Sequence, residues 1–252
     1  MQSSTTTNIP IWVLTLERTP ERQRFIEQQL NDLQLSYRII YGVDGSNLSE
    51  AQESKYSPAA AKKTVGRPLV AGEIGCALSH AMIFEMIAEQ SEEMVMVLED
   101  DALVGEMFAR FLDSVERLPR DWDLINLSTG AEQIGFGEPI FDIYRMCRFG
   151  DHAFGNRAIL IRKSAAERLL ELVYPVRWYA DGLTGQPELS GLGTFGIDPP
   201  VVGHGYHDSD IWKDGHNLSG VPKLWALKAM LKLGVKDTVR TLMRRVHGLR
   251  IR

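Results

Sequence analysis

Met94–Asp101 reads Met-Val-Met-Val-Leu-Glu-Asp-Asp, an unbroken apolar run that passes directly into three carboxylates. A short continuous apolar run closed by polar residues predicts a strand buried on both faces. Such strands belong to sheets covered by helices on both sides, so this stretch points to an α/β protein. Glu99, Asp100 and Asp101 then emerge at the carboxyl end of the strand, where open α/β sheets bind their ligands. Like charges this close raise one another's pKa unless a cation or hydrogen-bond donors hold them ionised. Two readings follow: a hard divalent cation shared with a nucleotide diphosphate, or a solvated turn capping the next helix.

The flanking sequence supports the same class. Ile9–Leu16 is a second apolar run, and Thr19-Pro20 supplies an N-cap and a first-turn proline. The helix they open carries Phe25, Ile26, Leu30 and Leu33 on one face, and Tyr37–Val43 completes a β-α-β unit at Asp44-Gly45. Residues 46–68 read as surface loop or weak helix. Gly72–Gln90 is expected to be a helix packed on the sheet, Val104–Leu118 another, and Trp122–Leu127 a strand. Pro139–Phe149 reads as a pair of short strands, and Arg157–Ile161 followed by Lys163–Val173 as strand then helix. From Pro175 to Pro222 the Gly- and Pro-rich sequence predicts loops that cover a ligand.

The 252 residues are 44% hydrophobic and 24% charged, which excludes disorder as the dominant state. Cys76 and Cys147 form no CxxC pair, so neither a disulfide framework nor a zinc knuckle is read from them; Cys76 reads as a small buried packing residue. Met1–Pro10 has neither a basic stretch nor an apolar run, and no run of eighteen apolar residues follows, so the expected location is cytoplasmic. The net charge of −5 is uneven: residues 223–252 carry nine Lys or Arg against Asp237, leaving an acidic body. That distribution argues against a nucleic-acid groove across the protein and for one end that touches an anionic surface.

Within those last residues Leu224, Leu227, Leu231, Val235, Val239, Leu242, Val246 and Leu249 recur at helical spacing among the basic side chains. A basic amphipathic helix docks on an anionic leaflet, or else packs its stripe on the body. The organisation expected is therefore residues 1–222 as the body and 223–252 as a basic helical tail.

IWVLTLERTPER (Ile11–Arg22), GEIGCALSH (Gly72–His80), MVLEDDALV (Met96–Val104), FGNRAILIRKSAAERLL (Phe154–Leu170) and DPPVVGHGYHDSDI (Asp198–Ile211) occur in the order seen in glycosyltransferase family 25, which the chain resembles. The resemblance implies a GT-A-like, Rossmann-related, mostly parallel sheet flanked by helices. It implies inverting transfer of a sugar, often from UDP-galactose, to a lipopolysaccharide or lipid-linked glycan acceptor. By the match to the family's acidic motif, Asp101 is the direct ligand of Mn²⁺ or Mg²⁺, Glu99 reaches the metal or the donor ribose, and Asp100 orients the strand end. Gly72, Gly75, Ser79 and His80 would lie at the donor, although His80 also reads as a hydrogen-bonded structural histidine and Glu73 alone satisfies a helix N-terminus. Gly155 and Asn156 stand where many members have Gly-Thr, and His204 where a Gln is common; His204 would close over the metal. Asp181 is the first candidate for the base that deprotonates the acceptor and Asp151 the second; either also suits a turn. Other readings are a nucleotide-sugar hydrolase, a nucleotidyltransferase, or a non-catalytic member that binds glycan or membrane.

Overall fold

The computed structural model describes residues 9–119, 121–128, 133–149, 153 and 155–205. In chain order the elements are β1 Ile11–Thr15, α1 Pro20–Asp32, β2 Arg38–Tyr41, α2 Glu50–Glu53, α3 Pro58–Thr64, α4 Ala71–Glu89, β3 Met94–Glu99, β4 Ala102–Leu103 and α5 Glu106–Ser114. They continue with β5 Leu124–Asn126, β6 Gln133–Phe141, β7 Tyr144–Phe149, β8 Ala158–Arg162, α6 Lys163–Val173, α7 Ala180–Thr184, α8 Pro187–Ser190, β9 Thr194–Asp198 and β10 Gly203–His204.

An eight-stranded sheet in the order β2-β1-β3-β8-β5-β9-β7-β6 forms the centre. β1 runs parallel to β2 and β3, and β5 to β9, while β8 and β7 oppose their neighbours. Six strands thus share a direction and two reverse it, so the mostly parallel α/β expectation holds with β8 and β7 as its exceptions. Alternation along each strand divides the core. Ile11, Val13, Met96 and Leu98 face one layer with Ile26 and Leu30 of α1 and Phe108 and Phe111 of α5. Trp12, Leu14, Val95 and Val97 face the other, with Phe84 and Ile87 of α4 and Leu169 of α6.

The strand read from Met94–Leu98 runs on to Glu99, and its apolar residues Val95–Leu98 are fully buried, as a strand covered on both faces must be. α4 is long and apolar enough by composition to cross a membrane, but Ile83, Phe84 and Ile87 are buried in the core. Each such side chain contributes roughly 1.5–3 kcal/mol when fully buried.

One expectation is made specific and one is corrected. Residues 46–68 hold two short helices, α2 and α3, each capped by a serine: Ser49 accepts from the N–H of Gln52, and Ser57 from that of Ala60. The stretch after Pro175 is not all loop, since β9 enters the sheet between β5 and β7. Gly196 hides that strand from a sequence reading, yet a Cβ there would stand 2.6 Å from the Phe149 ring, so this ring's position on the sheet requires the glycine. The tail, with the 223–252 boundary, lies outside the described residues.

Candidate active site

β3 leaves the sheet between β1 and β8, and backbone bonds hold its acidic end on both sides. Glu99 N–H donates to the carbonyl of Arg157 (2.8 Å) and Asp100 N–H to that of Leu14 (3.1 Å). The three carboxylates therefore point into different surroundings.

Asp100 turns inward. Its Oδ2 accepts from Thr15 Oγ1 (2.7 Å), and its Oδ1 lies 2.5 Å from the guanidinium of Arg22 on α1. Burial pushes its pKa up, against the pull of Arg22 and the Thr15 bond. This carboxylate ties β3 to β1 and α1, in keeping with the strand-orienting role. Thr19, expected as a side-chain N-cap, instead donates to the carbonyl of Leu16.

Asp101 faces the rim. The antiparallel pairing of β10 with β4 aligns His204 with Ala102 and brings the ring Nε2 within 3.3 Å of Asp101 Oδ2. Arg157 Nε approaches the same oxygen at 3.5 Å. Burial and the charge of Glu99 raise the pKa of Asp101, while Arg157, Arg22 and His204 lower it; the net shift is upward. Its Oδ1 is buried without a hydrogen-bond partner. A buried carboxylate oxygen with unused lone pairs beside an imidazole suits a divalent cation, so these residues fit Mn²⁺ or Mg²⁺.

Glu99 turns toward α4, where its Oε1 lies 2.9 Å from His80 Nε2. Burial works to raise its pKa, but the His80 bond and charge, with Arg157 and Arg22, outweigh it and hold the carboxyl below the usual range. An ionised Glu99 only accepts, so Nε2 carries the proton of this bond. The ring is 1% exposed, and its Nδ1 has no partner. Cys76 stands one helical turn before His80, and its sulfur, the imidazole and the Glu99 carboxylate offer ligand atoms within 4.8 Å of one another. This grouping was missed in the sequence; its signal was the i, i+4 spacing of Cys76 and His80.

The remaining expected donor residues of α4 are accounted for by packing. A Cβ on Gly75 would stand 2.6 Å from Gly45 N and 2.7 Å from Val43 O, so α4 lies against the 43–45 turn. Ser79 Oγ accepts from Val43 N–H and donates to the carbonyl of Gly75. Gly72 lies in the first turn of α4, where the anion present is Glu73, accepting from Val70 N–H and paired with Arg67.

Asp181, at the start of α7, accepts from Gly155 N–H through Oδ2 at 2.7 Å. Gly155, at φ +82°, presents its carbonyl to Asn126 Nδ2, and the buried Asn156 accepts from Thr184 Oγ1 at 2.7 Å. These bonds fix the loop that carries Arg157. Asp151 lies outside the described residues.

The model of glycosyltransferase family 25, described as an LPS biosynthesis protein, matches residues 8–184. Procollagen galactosyltransferase 1-A of Xenopus laevis is 30% identical over 168 residues, 64% of this chain and 28% of that protein. The inactive glycosyltransferase 25 family member 3 of Homo sapiens is 31% identical over 132 residues, 49% of this chain and 22% of that protein. The chain thus spans less than a third of the length of these relatives. A crystal structure of a glycosyltransferase involved in the glycosylation of the major capsid of PBCV-1 aligns with a TM-score of 0.35 at 13% identity, over 67% of this chain and 66% of that one.

Proposed function

The chain belongs to glycosyltransferase family 25, and we propose that it transfers galactose from UDP-galactose, with inversion and a divalent cation, to a lipopolysaccharide-type glycan. The observation that carries this reading is the meeting of Asp101, His204 and Arg157 at the end of β3, with Asp101 Oδ1 buried and unpartnered. The relative named a procollagen galactosyltransferase favours galactose as the sugar.

Asp101 and His204 would hold Mn²⁺ or Mg²⁺, which when bound neutralises the charge of the diphosphate leaving group. Arg157, a quarter exposed beside Asp101, adds positive charge for the same diphosphate. Glu99, oriented by His80, accepts from a donor ribose hydroxyl. Asp181, oriented by Gly155 N–H, takes the proton of the acceptor hydroxyl as that oxygen bonds to the anomeric carbon on the face opposite the nucleotide. The tail docks on an anionic membrane at its cytoplasmic face, where a lipid-linked acceptor is found.

A second reading, a member that binds its donor without transfer, draws on the inward bonding of Gly155 and Asn156. Nucleotide sugars tested for protection against thermal unfolding, with and without Mn²⁺ and alongside release of UDP on adding acceptor, separate the two. Mn²⁺-dependent protection by UDP-galactose with transfer supports the first. Protection without transfer supports the second, and release of free sugar without acceptor identifies a hydrolase.

A further inference from the structure

We propose that Cys76, His80 and Glu99 form a second cation site, selective for thiophilic divalent ions of the zinc class and distinct from Asp101 and His204. Thiolate, imidazole and carboxylate together make a zinc-type donor set, whereas Mg²⁺ and Mn²⁺ favour oxygen. Cys76 and His80 share a face of α4 one turn apart, and that face meets the end of β3, placing all three ligand atoms within 4.8 Å of one another. Binding would require the three atoms to close from that distance to the spacing of a tetrahedral site.

Two further observations point to a ligand. His80 is 1% exposed and its Nδ1 has no partner, so Nδ1 can take the ring proton when Nε2 turns to an ion. Burial, with the charges of Glu99, Asp181, Asp101 and Glu73, pushes the Cys76 thiol up, and a cation at the sulfur would offset those charges. Cys76 and Glu99 are half-buried and His80 is buried. On binding, the thiol proton leaves to solvent, the imidazole proton resides on the nitrogen not coordinated, and the cation replaces the His80–Glu99 hydrogen bond. Three protein ligands leave the fourth position to water.

The functional consequence rests on the proposed transfer: an ion that captures Glu99 removes it from the donor ribose. Zinc-class ions then inhibit while the Asp101 site is still served by Mn²⁺, and chelation reverses the inhibition.

The test is a Co²⁺ titration of the full chain in excess Mg²⁺, read by the ultraviolet thiolate-to-cobalt charge-transfer band and by bound metal. One equivalent and a band are expected in the wild type and in Cys147→Ala, where Cys76 is the sole thiol, and no band in Cys76→Ser. No band in the wild type, or a band that persists in Cys76→Ser, overturns the site; should Cys76→Ser not fold, Cys147→Ala decides. Zn²⁺ added to Mn²⁺-saturated protein is expected to reduce transfer in the wild type and spare Cys76→Ser. Equal inhibition of both overturns the regulatory role, whereas absence of all transfer counts against the enzymatic reading and leaves the binding result intact.

Discussion

His204 Nε2 lies 3.3 Å from Asp101 Oδ2 because β10 pairs with β4, the two-residue strand that directly follows the carboxylates. A residue from the end of the described chain thereby joins the end of β3. Asp101→Asn is expected to abolish transfer and Mn²⁺-dependent donor protection while leaving the melting temperature near that of the wild type. His204→Ala should weaken Mn²⁺ by at least the roughly 10- to 100-fold typical of losing an outer-shell partner. Titration of Mn²⁺ against both variants checks this, and wild-type affinity in His204→Ala would remove His204 from the metal.

Asp181 holds Gly155 N–H, and substitutions separate that structural role from the proposed role as acceptor base. Asn retains an oxygen to accept from Gly155 N–H, whereas Ala does not. Asp181→Asn is expected to lower the transfer rate by about 10²- to 10⁴-fold with donor binding kept. If Asp181→Asn transfers normally and only Asp181→Ala fails, Asp181 is a positioning residue for the Gly155 loop.

Arg22 is the cation against buried Asp100. Arg22→Met leaves that charge unpaired and should destabilise the fold by about 3 kcal/mol at neutral pH, as broken buried pairs do. Because burial already raises the Asp100 pKa, loss of Arg22 raises it further. The cost should shrink as pH falls and Asp100 becomes neutral. Denaturant melts across pH measure this; a cost that grows in acid would contradict it.

Acidification should reach Asp101 earlier than it reaches an ordinary aspartate. Burial and the charge of Glu99 place Asp101 above the usual aspartate range, while the His80 bond and the nearby arginines hold Glu99 below its own. If Asp101 holds Mn²⁺ as proposed, Mn²⁺-dependent donor binding should fall along an acid limb above that of an ordinary aspartate. Glu99→Gln removes a negative neighbour, lowers the Asp101 pKa and should move the limb to lower pH. Donor affinity measured against pH tests the direction of that movement.

The basic tail makes opposite forecasts for lipid and for packing on the body. If it docks on membrane, each Lys or Arg near an anionic leaflet contributes about 1 kcal/mol, and salt weakens the attachment. A chain ending at Gly220 should then stay folded, transfer to a small soluble acceptor and no longer sediment with anionic vesicles. Equal sedimentation of both chains would refute docking, and a large fall in melting temperature would indicate a packed stripe.

Much of the fold was legible in local pattern. The apolar run of β3, the β-α-β opening and the periodicity of α4 are consequences of period and burial that neighbouring residues carry. β9 was not legible, because its Gly196 answers to the Phe149 ring, a contact invisible along the chain. The same division runs through the site. The strand-end carboxylates could be picked out because they follow a buried run, but their different roles came only from the resemblance to the family and not from the spacing of the residues. Adjacent side chains on a strand end point to different surroundings, so Asp100 met Arg22, Asp101 met His204 and Glu99 met His80 only when three separate elements packed around one edge. Cys76 shows the limit most plainly: sequence made it a small packing residue, and only the seating of α4 against β3 brought its sulfur to an imidazole and a carboxylate, because ligand groups are defined by distances of a few ångströms that chain order does not encode.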